Sequence, residues 1–190
     1  MKEEAQDKRT AALRATLELI SEQGFHGTPM SQIAQRANIG VGTIYRYFSG
    51  KEELINALYI DVKTRMARNA LVNCSKDMGL HEEFRQLVSN VINYFIENHA
   101  ELSFVEQYEN SPLITAATQT ELKRIAEPLE DMFKRAAEQK LLKELPIEIL
   151  GALLGGSVIS LAKHYLADET RPDKATLDAA IDAIWDMLVK

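Results

Sequence analysis

Residues 24–51, GFHGTPMSQIAQRANIGVGTIYRYFSGK, decide the fold of this 190-residue chain. Upstream of them Leu13, Thr16, Leu17 and Ile20 recur at helical spacing, and Gly24, tolerant of positive φ, marks a helix end near Gln23. Thr28 offers a hydroxyl to cap a second helix. Pro29 suits the first position of that helix, where no amide donor is needed, and Met30, Ile33, Ala34 and Ala37 form its apolar face. This helix has room for only about two and a half turns at 3.6 residues per turn. Asn38-Ile39-Gly40 break it, and a third helix starts near Val41. Ile39 is apolar enough to fill the gap between the two, so the pair reads as a helix-turn-helix.

Successive residues of the third helix rotate by about 100°, which puts Ile44 and Phe48 together on a core-facing side. Gly42 and Arg46 then lie on the opposite face with Thr43 beside them, and Tyr45 and Tyr47 project to either side. A short helix with such an outer face fits the major groove of double-stranded DNA, its outward groups meeting bases and its flanking groups meeting phosphates. The fork of Arg46 matches guanine O6 and N7, Thr43 brings a hydroxyl and a methyl, and Gly42 lets the backbone come close. Lys51, at the start of a fourth helix, is placed for a phosphate. Taken singly, each tyrosine reads as packing and Arg46 as a solvated charge; the constellation is what points to DNA.

Helix one ending in Gly24-Phe25, the run Thr28-Pro-Met-Ser-Gln-Ile-Ala, and Val41-Gly-Thr-Ile-Tyr-Arg-Tyr-Phe followed by Lys51-Glu-Glu-Leu resemble the amino-terminal domain of TetR-family transcriptional regulators. The likeness covers roughly the first 60 residues. It implies that Thr28, Tyr45, Tyr47 and Lys51 touch the DNA backbone and that Gly42, Thr43 and Arg46 face the base edges. Gly40 and Val41 stand where the family often has Ser and Lys, which removes a side-chain cap and one phosphate-directed charge. The reading helix also resembles that of fatty-acid-responsive repressors of a cytochrome P450.

Length leaves room for a second core, and the charge divides accordingly. Residues 1–51 hold seven Lys and Arg against five Asp and Glu, a balance of +2, whereas 52–190 hold 15 against 23, a balance of −8. A net charge of −6 argues against indiscriminate coating of nucleic acid, so Arg46, Lys51, Arg36, Lys8 and Arg9 must supply the local attraction. The lone Cys74 forms no internal disulfide, no Cys and His cluster has zinc spacing, and the charged start is unlike a signal sequence. A cytoplasmic protein is expected, without metal or other cofactor. The run Leu150–Ala162 is too short to cross a bilayer, and a buried helix is expected there.

Past the motif nearly every segment has helical period, so the fold class is all-α with about nine helices. We divide it into a helix-turn-helix domain over 1–50 and a helical effector-binding and dimerisation domain over 51–190. Phe84, Leu87, Val88, Val91, Ile92 and Phe95 trace a fifth helix, and Phe104, Val105 and Tyr108 a short sixth. Leu122, Ile125, Leu129, Met132, Phe133 and Ala136 mark a seventh, with Pro128 inside it either bending it to open a cavity or leaving a plain kink. Gly151, Gly155, Gly156 and Ser157 give the eighth helix a low-profile surface, and the ninth carries Leu177, Ile181, Ile184, Trp185 and Leu188 on one side.

By the resemblance, the last two helices pair with those of a second subunit, and a small-molecule pocket lies between helices four and seven. Candidate interface residues of the homodimer are Gly151, Gly155, Ile159, Ile181, Ile184, Trp185 and Leu188. A palindromic operator gives the same expectation, since one chain supplies only one reading helix. Candidate pocket walls are Met66, Val91, Phe95, Phe104, Tyr108, Leu129 and Phe133, with Tyr108 and His99 as polar anchors for a small apolar effector. The function expected is a ligand-responsive repressor; a DNA-bound module that docks another protein is the alternative. No phosphate loop, Glu-x-x-His pair or nucleophilic constellation speaks for an enzyme.

Overall fold

The computed structural model describes residues 2–109, 111–167, 171 and 173–190, without the side chains of residues 2–6. Nine α-helices account for the described chain: α1 Lys2–Gln23, α2 Met30–Arg36, α3 Val41–Tyr47, α4 Lys51–Ala70, α5 Leu80–Glu97, α6 His99–Tyr108, α7 Ala116–Glu138, α8 Ile147–Ala167 and α9 Lys174–Leu188. The all-α expectation holds, and the described residues add only one isolated antiparallel bridge, Leu142 with Val189.

The chain forms two compact units. One holds residues 1–63 and 100–122, the other 64–99 and 123–190. The first unit thus takes in 51–63 and 100–122 besides the helix-turn-helix.

In the first unit the helix ends are made as the sequence chemistry demands. Gly24 closes α1 at φ 72°, its amide donating back to the Ile20 carbonyl. After α2, Asn38 takes φ 53°; its amide donates to Gln35 and that of Ile39 to Ala34. This pair of bonds is a Schellman turn, and Ile39 packs onto the core as its apolar plug. Thr28 does not cap α2 as expected. It is fully buried and its hydroxyl donates to the Gly24 carbonyl at 2.8 Å, so it closes the α1–α2 connection instead.

Leu13, Ile20, Ile33, Ile44, Phe48 and Leu58 lie in one core, which Phe104, Val105, Tyr108 and Ile114 complete. Asn56, on α4, is buried and fully bonded. It donates to the carbonyls of Glu52 and Leu113 and accepts from the Thr115 amide and the Thr118 hydroxyl, all within 2.6–3.0 Å. Such a node is stable only while complete, because each partner is then desolvated without loss of a bond.

In the second unit α5 packs against α8 and α9. Its stripe of Phe84, Leu87, Val88 and Ile92 meets Leu150, Val158, Ile181 and Leu188. Arg135 on α7 grips both oxygens of the mostly buried Glu83 at 2.6 and 2.7 Å. Lys140 ends α7 at φ 57°, again in a Schellman turn, with Leu141 donating to Ala136.

Two substitutions test these local accounts with opposite signs. Asn56→Ala strands three partners and should lower stability by about 2–4 kcal/mol. Lys140→Gly relieves a left-handed backbone and should raise it by about 0.5–1 kcal/mol. Urea midpoints measure both, and a gain from Asn56→Ala or a loss from Lys140→Gly would refute the respective account.

Candidate nucleic-acid interface

The geometry of α3 follows from two buried residues, Ile44 within it and Phe48 at its C-cap in extended backbone. Ile44 and Phe48 are 0% and 2% exposed, which turns Gly42, Tyr45 and Arg46 to the outside. A side chain built at Gly42 would meet nothing within 4 Å, so the backbone there stands open to an approaching body. Gly40 caps α3 in extended conformation without a side-chain bond. Thr43 and Tyr47 are half-buried at the margin of this face. Arg46 donates from Nη2 to the Tyr47 hydroxyl at 3.1 Å.

Three other sequence candidates sit elsewhere than expected. Thr28 is fully buried and presents nothing to a phosphate. Lys51 donates its ammonium to the Phe25 carbonyl and lies 3.9 Å from the Phe25 ring centroid. Burial there holds its pKa below the ordinary lysine value. Its visible role is to fasten the start of α4 to the α1–α2 connection. Arg36 is held by Glu22 through two bonds of 2.8 Å and by Glu18 at 3.5 Å, so its charge is neutralised within the protein. Arg9 lies over the Phe48 ring at 5.4 Å.

The expected pocket residues divide between the two units. Phe104 and Tyr108 are buried in the core of the first unit, while Val91, Leu129 and Phe133 pack on that of the second. Phe95 is buried and Met66 half-buried in the second unit, and His99 is exposed at the start of α6. A cleft of about 500 Å³ within the second unit has different walls: Leu71, Cys74 and Pro128 with Lys76, Arg124, Lys134, Glu83, Glu127 and Asp131. Its lining combines charged groups with apolar surface. Lys76 pairs with Asp131 at 2.8 Å, holding that carboxyl below its usual range. The legible signal was the spacing of Arg124, Glu127, Asp131 and Lys134, which places all four on one side of α7.

The interface candidates also divide. Ile181, Ile184 and Leu188 are buried in their own core, and Trp185 packs 5.0 Å from Phe84 and 5.2 Å from His81, ring to ring. The α9 stripe is therefore an internal contact. On α8, Gly151 is exposed and Gly155 and Ile159 are half-buried, with Ile149, Leu153, Gly156 and Ser160 exposed in line. At 21 residues, α8 is longer than the run read from the sequence and is long and apolar enough to cross a membrane by length and composition alone.

An outward reading helix seated on a buried Ile44 and Phe48 defines a helix-turn-helix DNA-binding protein. Residues 12–58 match the family described as "Bacterial regulatory proteins, tetR family", and 79–189 match "Tetracyclin repressor-like, C-terminal domain". An HTH-type transcriptional regulator of Haemophilus influenzae is 27% identical over 193 residues, with both chains covered in full. A solved protein of Vibrio parahaemolyticus, described as a transcriptional regulator of the TetR family, is 31% identical. It superposes with a TM-score of 0.83 over 96% of this chain and 99% of its own. A TetR-family regulator of Marinobacter aquaeolei shares the fold at a TM-score of 0.92 over both whole chains, at 23% identity. The chain belongs to the TetR family of DNA-binding transcription regulators, and its relatives are regulators rather than enzymes.

The pairing of Arg36 yields a test. Arg36 holds the Glu22 carboxyl below its ordinary range, chiefly by their hydrogen bonds. A depressed folded pKa gives stability that is present above the unfolded pKa and lost as pH falls through the folded one. Arg36→Ala should therefore flatten the acid side of the stability profile and leave the salt slope of DNA binding unchanged. A slope reduced by about one would instead make Arg36 a phosphate contact.

Proposed function

We propose that this protein is an effector-released repressor that binds a palindromic operator as a twofold homodimer in the cytoplasm. The observation that carries the reading is the α3 face itself: Gly42 and Arg46 exposed on a helix fixed by buried Ile44 and Phe48. On this reading Arg46 donates to a guanine edge and Thr43 meets a neighbouring base. Tyr45 and Tyr47 border phosphates, with Lys51 at the margin. Half-sites about one DNA turn apart need two reading helices, which two copies supply.

The exposed line of Ile149, Leu153, Gly156 and Ser160 on α8 supports the dimer, since its apolar and small side chains let a second helix approach closely. This use of α8 takes its apolar face away from water without a membrane. The cleft of the second unit supports an effector. Its charged walls favour a molecule with a polar group over a plain hydrocarbon, while Leu71, Cys74 and Pro128 accept an apolar part. The resemblance of α3 to fatty-acid-responsive repressors of a cytochrome P450 does not bear on this cleft. Effector binding releases DNA only if the ligand prefers the dimer whose heads misfit the operator. The exposed Leu145 and Ile147, 45% and 51% accessible, favour the second reading, in which this domain docks another protein.

Selection of duplexes from a random pool by the purified protein should return a palindrome. Arg46→Ala should cost about 1–3 kcal/mol on it and relax one position per half-site. Equal losses on selected and random DNA would remove Arg46 from base reading. In sedimentation, Leu153→Glu should turn a dimer into a folded monomer; an unchanged dimer would move the interface off this face of α8.

A further inference from the structure

The two tyrosines of α3 are not equivalent. Tyr45 is 52% exposed, whereas Tyr47 is half-buried, packs against the core of its unit and lies 6.4 Å from the Phe48 ring. Its ring is therefore held on one side by the same core that orients α3. On its other side it meets Arg46: Nη2 donates to the Tyr47 hydroxyl at 3.1 Å, and the guanidinium carbon lies 5.2 Å from the ring centroid. Adjacent helix residues diverge by about 100° and do not ordinarily face each other. The contact forms because the Arg46 side chain is long enough to reach the neighbouring ring. Among the described residues Arg46 makes no ion pair, in contrast to Arg36 with Glu22 and Glu18.

We propose that Tyr47 is a positioning residue for sequence reading: its hydroxyl and ring hold the Arg46 guanidinium in one orientation on the outer face of α3. This rests on Arg46 reading a base edge. An unrestrained arginine loses much rotamer freedom on binding, and a bidentate match to guanine tolerates little error in angle. A fixed aromatic post removes part of that loss beforehand and narrows the approach. Tyr47 thereby acts on specificity, and not only on affinity as a phosphate contact does.

Tyr47→Phe is the informative change, because it keeps the ring and its packing and deletes only the hydroxyl. The wild type, Tyr47→Phe, Arg46→Ala and the double variant are each run through selection from a random duplex pool. Each is then titrated on the wild-type consensus and on a random duplex. Tyr47→Phe should weaken the consensus about three- to tenfold relative to the random duplex and blur the same position that Arg46→Ala erases. The double variant should be no weaker than Arg46→Ala alone. Equal weakening on both duplexes with an intact consensus, or additive losses in the double variant, would overturn the positioning role and leave Tyr47 a phosphate contact. If Arg46→Ala erases a position that Tyr47→Phe keeps sharp, the positioning role alone fails. If Arg46→Ala erases none, the base-reading role fails and this inference with it.

Discussion

Burial of Ile44 and Phe48 is the constraint on which the outer surface of α3 depends. A seven-residue helix has little stability of its own, so its orientation is set by two buried side chains, Ile44 within it and Phe48 at its C-cap. Once both are inside, the helical rotation leaves Gly42 and Arg46 no position except the outer face. The left-handed turn at Asn38 and the plug at Ile39 fix where that rotation begins. The exposure of Gly42 and Arg46 on α3 is thus a by-product of packing.

The polar groups around this core serve mainly to hold it. Thr28 and Lys51 satisfy consecutive carbonyls, Gly24 and Phe25, in the α1–α2 connection, and Arg36 ties α2 to α1 through Glu22. Asn56 binds the segment 113–118 to α4 by three hydrogen bonds, so residues far apart in sequence join the unit that carries α3. Buried polar nodes of this kind specify one arrangement, because a shifted one would leave several groups unpaired. In the second unit the bidentate pair of Arg135 and Glu83 has the corresponding role between α7 and α5.

The sequence made the helices and the face of α3 legible because both depend on local periodicity. Ile44 and Phe48 are four apart, and the apolar stripe of α5 recurs at three and four. It did not show which partner a polar side chain chooses. Arg36 reads as a DNA contact until Glu22 and Glu18, on another helix, are seen beside it. Ile181, Ile184 and Leu188 read equally well as an interface or a core, since periodicity marks an apolar face without saying what covers it. Periodicity likewise did not show that Phe104 and Phe133 pack in the cores of different units, or that charged side chains share the lining of the cleft.

The central claim, that the α3 face is the surface that reads DNA sequence, is tested most directly by a crystal structure of the protein with a duplex selected from a random pool. The account predicts α3 in the major groove, with Gly42 against the bases and the Arg46 guanidinium on a guanine edge. DNA lying on another face, or α3 in the groove with Arg46 turned to solvent, would contradict it.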